Sequence, residues 1–231
     1  MRAKWFVLAA ALVLAFGQLA VAGSSNPELK IVSGGTTLIV TPLVLNSGQV
    51  VYSNPNFNGW DISVVFGASN SPNLSGPPGQ FGLDITSLTA TCSGGGACSA
   101  NPLDLFLSDV NFTQAVGANG LVNSYSTTSG VGSTTQTLFL DTGNSFFGGV
   151  ACSTVGPLTG ATGGSIAGGC GAAGPSAYSL TLEDIFSANA SGVGSFSADG
   201  NVSAVPEPAS LSLFGTGLLA LGGAVRKKLM A

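Results

Sequence analysis

The chain has 231 residues, 45% hydrophobic and only 7% charged, with 35 glycines, four cysteines and no histidine. Five of its six basic residues lie at the two ends, so between Gly23 and Val205 Lys30 stands alone against nine acidic residues. Such a core lacks the basic footprint that nucleic acid requires, and without histidine there is no base for a serine triad.

The first element is an export signal. Met1-Arg2-Ala3-Lys4 is basic, Trp5 to Phe16 is apolar, and Ala20-Val21-Ala22 places small residues at the two specificity positions before Gly23. That order predicts a secretory signal helix over residues 1–22, removed on export. Residues 23–204 then form the exported domain, long enough to bury one core.

Strand signals recur through this domain. Thr36 to Val40 and Gly48 to Ser53 come first, and Pro42 marks the end or edge of its strand. Trp60, Ile62, Val64 and Phe66 alternate with Asp61, Ser63 and Val65, and Leu103, Leu105 and Leu107 with Asp104, Phe106 and Ser108. Phe81 to Ala90, Val110 to Gln114, Thr137 to Leu140, Tyr178 to Leu182 and Phe196 to Ala198 continue the theme. Between them lie turn clusters such as Asn54-Pro55-Asn56, Ser75-Gly76-Pro77-Pro78-Gly79, Gly117-Ala118-Asn119-Gly120 and Gly156-Pro157. Lys30 falls in a stretch that reads as a flexible lead. Leu182 to Phe186 fits one helical turn or a bulged strand equally well. The pattern predicts an all-β domain, an antiparallel β-sandwich of jelly-roll or immunoglobulin-like type.

Cys92, Cys98, Cys152 and Cys170 all fall in the exported domain, and an even count in an oxidising compartment predicts disulfides. Three connectivities are open; the local pairs Cys92–Cys98 and Cys152–Cys170 are favoured because each brackets a glycine-rich stretch. A structural zinc site is not expected without histidine or C-x-x-C spacing. Calcium held by Asp side chains and loop carbonyls stays open, although no metal motif marks a site.

Candidate chemistry is sparse. Leu138-Phe139-Leu140-Asp141-Thr142-Gly143 resembles the aspartic-protease signature, whose chemistry needs two carboxylates sharing a proton. The chain has one such motif, followed by Asn144, and a strand running into a polar turn yields the same tripeptide. Glu183-Asp184 is an adjacent acidic pair whose side chains on a strand point to opposite faces, which is wrong for a shared site. A glycosidase would need two carboxylates at a set separation, and nothing marks a pair. Trp60, Tyr52, Tyr125 and Tyr178 are the few aromatics that would stack a sugar in a carbohydrate-binding module, with Trp60 the better fit to a buried face. No catalytic residue, cofactor or metal is expected.

The last element is a tail. Val205-Pro206-Glu207-Pro208-Ala209-Ser210 precedes an apolar run to Val225 and then Arg226-Lys227-Lys228. Ala209 to Val225, about 17 residues, meets the lower limit for a membrane-spanning helix. The basic end predicts a cytoplasmic terminus. This tail, residues 205–229, resembles the PEP-CTERM family of exported bacterial proteins; the sorting signal rests on Val205, Pro206, Glu207, Pro208, Arg226, Lys227 and Lys228. The same tail is sometimes labelled an ice-binding protein C-terminal domain, which describes sorting sequence and is no evidence of ice binding.

The resemblance implies a partner, a membrane-embedded exosortase that cuts near Pro-Glu-Pro, and a helix that is a transient inner-membrane anchor. The alternative is a permanent single-pass anchor. The stretches Asn58 to Val65, Leu107 to Thr113 and Leu140 to Gly148 also resemble exported domains found ahead of this tail, which carry no activity to transfer. The reading that follows is a non-enzymatic structural or interaction protein of the cell surface or exopolysaccharide matrix. The alternatives are a carbohydrate-binding module and, behind it, a secreted hydrolase.

Overall fold

The computed structural model describes residues 26–41, 48–71, 73–74, 82–93, 96–114, 116, 120–167, 170, 176–204 and 216. The signal segment and, apart from Thr216, the sorting tail lie outside the described residues, and so do the signal helix and membrane helix expected there. Among the described residues no helix is long and apolar enough to cross a membrane.

Two six-stranded antiparallel sheets stack face to face. The first, sheet A, runs β2 (Thr36–Val40), β1 (Glu28–Ser33), β6 (Leu103–Phe112), β11 (Tyr178–Ser187), β8 (Ser133–Asp141) and β9 (Val150–Leu158). The second, sheet B, runs β10 (Thr162–Ala167), β7 (Leu121–Val131), β12 (Val193–Ala204), β5 (Leu83–Ser93), β4 (Trp60–Ser69) and β3 (Gln49–Phe57). From β5 to β8 and again from β9 to β12 the chain passes from one sheet to the other at each connection, a jelly-roll wrap. Among the described residues the one helix between strands is a single turn, α1 (Ala97–Ala100).

Period-two patterning builds the sandwich because alternate side chains face the opposing sheet. Leu103, Leu105 and Leu107 point inward from β6, and Leu180, Leu182 and Phe186 are buried on β11. In β4 the phase shifts: Trp60 and Ile62 are buried, and further along Val65 and Gly67 are, because the pairing with β5 slips between Ile62 and Val64 and again between Val64 and Phe66. The simple alternation read from the sequence therefore fails after Ile62. Phe196 links the two aromatic anchors, with ring centroids 6.1 Å from Trp60 and 5.1 Å from Phe186. The Trp60 indole N–H donates to the Asn101 carbonyl at 3.1 Å, so its one polar atom is satisfied. At Gly67 a Cβ would lie 2.6 Å from a Leu107 methyl across the sandwich, so a side chain there would force Leu107 to shift.

Several local expectations change. Lys30 is not in a flexible lead; it belongs to β1, which alternates buried and half-buried residues beside β6. Asn54-Pro55-Asn56 lies inside β3 rather than in a turn, and Gly156-Pro157 lies inside β9. Val110 continues β6 instead of starting a new strand. Leu182 to Phe186 is regular strand, and the bulge of β11 falls between Tyr178 and Leu180. Strands β7 and β10 give no sequence signal, being rich in Ser, Thr and Gly, and β9 gives none because its apolar residues do not alternate and Gly156-Pro157 reads as a turn.

The disulfides join Cys92 to Cys98 and Cys152 to Cys170. The first ties the end of β5 to α1, at a crossing between sheets. The second ties β9, at the edge of sheet A, to the segment after β10, at the edge of sheet B. It closes one side of the sandwich where no strand ladder can. Replacing Cys152 and Cys170 together by serine is expected to cost about 3 kcal/mol, the loop-closure value for a ring of this size. Urea unfolding of the oxidised parent and the variant measures this.

Candidate functional site

Charge and aromatics converge on the outer face of sheet A. Register places Lys30 beside Phe106, Phe106 beside Glu183, and Glu183 beside Thr137 in one row across β1, β6, β11 and β8. The Lys30 ammonium sits 3.8 Å from the centroid of the Phe106 ring and 4.9 Å from that of Phe147, a cation–π contact on two rings. Asp104 and Glu183 flank it. Burial raises the pKa of both carboxyls, and the Lys30 charge opposes the rise.

Phe147 reaches that row because the segment after β8 folds back over the sheet. Asp141 accepts from the Gly143 N–H at 2.8 Å and the Ser145 N–H at 3.1 Å. Asn144 and Asn111 pair reciprocally: the Asn111 N–H donates to Asn144 Oδ1 at 2.7 Å, and Asn144 Nδ2 donates to Asn111 Oδ1 at 2.9 Å. Ser179 donates to the Ser145 carbonyl, and the Phe147 N–H donates to Ser108 Oγ. Asn144 and Phe147 both take positive φ, at 57° and 56°, which is unusual for a residue as bulky as phenylalanine. This strap explains why Ser108, Ser179 and Thr181 are buried although they face outward. It also assigns the Asp-Thr-Gly motif: Asp141 shapes its own turn, and both carboxylate oxygens are used in doing so.

A second polar group lies between the sheets. Asp184 is fully buried, opposite Gln136 in the β11–β8 register. Neither carboxylate oxygen has a partner with hydrogen-bonding geometry, and neither does either amide atom of Gln136. The Gln136 amide presses instead on Gly200 of β12, in the opposing sheet. Tyr125 and Thr134 share a hydrogen bond beside them, at 2.5 Å between oxygens. Burial pushes the Asp184 pKa up to about 8; Gln136 opposes the rise, and Glu183 and Asp199 add to it. Glu183 stays half-buried on the outer face, so the acidic pair is split between the two faces of the sheet.

Two further carboxyls are shifted upward. Asp84 on β5 rises to about 7 through burial and the nearby Asp199. Asp109 rises to about 6 through burial, although hydrogen bonds from Ser69 and the Val110 N–H oppose this. Among the described residues no group of three His, Cys, Asp or Glu side chains could hold a metal ion.

The aromatics nominated for sugar stacking are mostly interior. Trp60 is 0%, Tyr178 1% and Tyr125 2% exposed, so none of the three offers a ring face to a ligand. Tyr52 is half-buried and accepts a hydrogen bond from Asn54. The row of Lys30, Phe106, Glu183 and Phe147 was not assembled from the sequence, since only strand register and the strap bring it together. The alternation of β6 marked Phe106 as outward, and that was the one signal available.

The sorting residues Val205, Pro206, Glu207, Pro208, Arg226, Lys227 and Lys228 lie outside the described residues. Their sequence is decisive on its own: the model of the PEP-CTERM protein-sorting motif matches residues 204–228. The chain carries a PEP-CTERM sorting motif. The motif implies an exported protein of the cell envelope, processed by an exosortase. None of the curated proteins matches the chain.

Among solved structures, a carbohydrate-binding module, TmCBM61 with β-1,4-galactotriose, covers 69% of this chain and 90% of its own at 13% identity and a TM-score of 0.32. The K1 cleaved adhesin domain of Lys-gingipain from Porphyromonas gingivalis W83 covers 69% of this chain and 92% of its own at 11% identity and a TM-score of 0.33. The enzymatically active domain of bacteriophage CBA120 tailspike protein 4 covers 69% of this chain and 20% of its own at 14% identity and a TM-score of 0.32. Likenesses at this level carry no argument about activity or ligand.

Asp184 sets a pH dependence. Its carboxyl holds a proton in the folded state up to about pH 8, whereas the unfolded carboxyl ionises near 3.8. The folded state thus binds the proton more tightly, and stability is lost as pH rises across that window. Asp84 and Asp109 act in the same direction over narrower windows. Asp184→Asn is expected to stabilise the protein by about 1–3 kcal/mol at pH 8, by removing the buried ionisable group, and to flatten the profile between pH 5 and 8. Urea midpoints of parent and variant at the two pH values check this.

Proposed function

We propose that this chain is a non-enzymatic structural or interaction protein, delivered as a folded β-sandwich to the cell surface or exopolysaccharide matrix. The observation that carries the reading is where fold and motif meet. Strand β12 ends at Ala204, and the sorting motif begins at residue 204. A cut near Pro-Glu-Pro leaves the whole sheet order intact and removes only the tail. In this reading residues 1–22 are removed on export, the segment from Ala209 to Val225 is a transient inner-membrane helix, and Arg226 to Lys228 hold its cytoplasmic end.

The absence of enzymatic activity is part of the proposal. It draws support from the chain's lack of histidine, from the commitment of Asp141 to its own turn, and from the placement of Glu183 and Asp184 on opposite faces. An acidic surface with two disulfides suits an oxidising, exterior location.

Fractionation of the native host with intact-mass measurement tests the sorting. The expected species starts at Gly23, ends near Pro206 and is found outside the inner membrane. A double substitution, Pro206→Ala with Pro208→Ala, is expected to leave the protein in the inner membrane with Arg226 to Ala231 attached. Parent protein recovered from the inner membrane with its tail intact would overturn the reading.

A further inference from the structure

Sandwich proteins must manage the unpaired backbone groups of their edge strands. This one has four terminal strands, β2 and β9 in sheet A, β10 and β3 in sheet B. Three are guarded. β3 contains Pro55, and its pairing slips twice. β9 contains Pro157 and also slips twice, and β10 lies beside it where the Cys152–Cys170 bond closes that side. Among the described residues β2 has none of these devices, and no strand pairs with its outer edge. It reads Thr36-Thr37-Leu38-Ile39-Val40, without charge, proline or register shift. Leu38 is 36% and Ile39 52% exposed.

We propose that the free edge of β2 is a self-pairing surface at which two copies of this chain join antiparallel into one continuous sheet. The geometry fixes the register. The β1–β2 hairpin turns through Gly34 and Gly35, both at positive φ, as a two-residue turn of this type requires. The flanking pair Ser33 and Thr36 is then the hydrogen-bonded one, and bonding alternates from there. Thr36, Leu38 and Val40 turn their backbone groups to β1, while Thr37 and Ile39 turn theirs to the free edge. A two-fold axis through Leu38 sets Thr37 opposite Ile39 of the second copy and forms four backbone hydrogen bonds. The two Leu38 side chains meet on one face, and each Ile39 meets a Thr37 on the other.

Charge selects this edge. The exported domain carries nine acids against Lys30, so most approaches between copies are repulsive. β2 carries no charge and its cross-strand neighbours on β1 include no acid, so two copies meet at this edge without setting carboxylates against each other. A five-residue pairing is a small interface, weak in dilute solution and favoured where copies share a membrane or matrix. The inference goes beyond the sorting reading and does not rest on it.

Cross-linking of the full chain in intact cells tests it. Leu38 opposes itself at a Cα separation of about 4.5 Å, within disulfide reach, whereas Thr37 lies about 7–8 Å from its own copy. Leu38→Cys is expected to give a dimer linked through position 38, at least about tenfold more than Thr37→Cys gives. Peptide mapping locates the link, and formation of the two native disulfides confirms that the sample was oxidised. Adding Ile39→Glu to Leu38→Cys, an exposed change that keeps the hairpin because it faces Lys30 across the strands, adds a like charge from each copy at the seam and is expected to cut the dimer about tenfold. Equal yields from the two cysteine variants, an unchanged yield with Ile39→Glu, or a position-38 thiol that stays monomeric and blocked to maleimide would overturn the proposal; the last would place another segment or partner on the edge.

Discussion

Face-to-face burial between two sheets is the constraint on which this molecule depends. Among the described residues Lys30 is the one basic side chain, so opposite charges have little to contribute, and helix contributes one turn. What remains is a layer of Leu, Ile, Val and aromatic side chains projecting from both sheets, with Trp60, Phe186 and Phe196 at one end and Tyr178 stacked on Phe112 elsewhere, ring centroids 5.9 Å apart. Each fully buried large side chain contributes about 1.5–3 kcal/mol before entropy is counted. Gly67 shows how closely the layer is fitted, since even a methyl group would strike Leu107.

Polar groups are arranged around that layer in two ways. On the outer face of sheet A the strap after β8 satisfies the hydroxyls it covers, so Ser108, Ser179 and Thr181 are buried at little cost. Inside, Asp184 and Gln136 are left without geometrically sound partners, and the carboxyl responds by keeping its proton. The same residue types thus have opposite consequences, set by whether a backbone segment comes to meet them. The motif most suggestive of catalysis, Asp141-Thr142-Gly143, belongs to the first kind; its carboxylate is an acceptor for the turn that carries Phe147 to Lys30.

The topology also suits delivery. Each strand of the sandwich precedes the sorting motif, and the two disulfides act locally, one at a crossing between sheets and one across an open side. The opposite side, where β2 and β3 end their sheets, has no covalent closure. Its two strands differ in that Pro55 and two slips break the regularity of β3, while β2 stays regular and apolar.

Much was legible from residues alone. The sorting motif and the acidic imbalance are properties of a short segment and of composition, independent of what the chain packs against. The strand identity of Leu103 to Ser108 and Tyr178 to Leu182 follows from alternation, because a strand's two faces repeat every two residues, and that of Thr36 to Val40 from its run of β-branched residues. Strands β7 and β10 were silent because Ser, Thr and Gly fill both faces and leave little contrast to read, and β9 because its apolar residues follow no period of two and Gly156-Pro157 reads as a turn. The phase change in β4 and the place of Lys30 in β1 come from pairing with distant strands. So do the meeting of Lys30, Phe106, Glu183 and Phe147 and the burial of Tyr125: these residues lie far apart in sequence, and only strand register and the approach of two sheets decide that they touch.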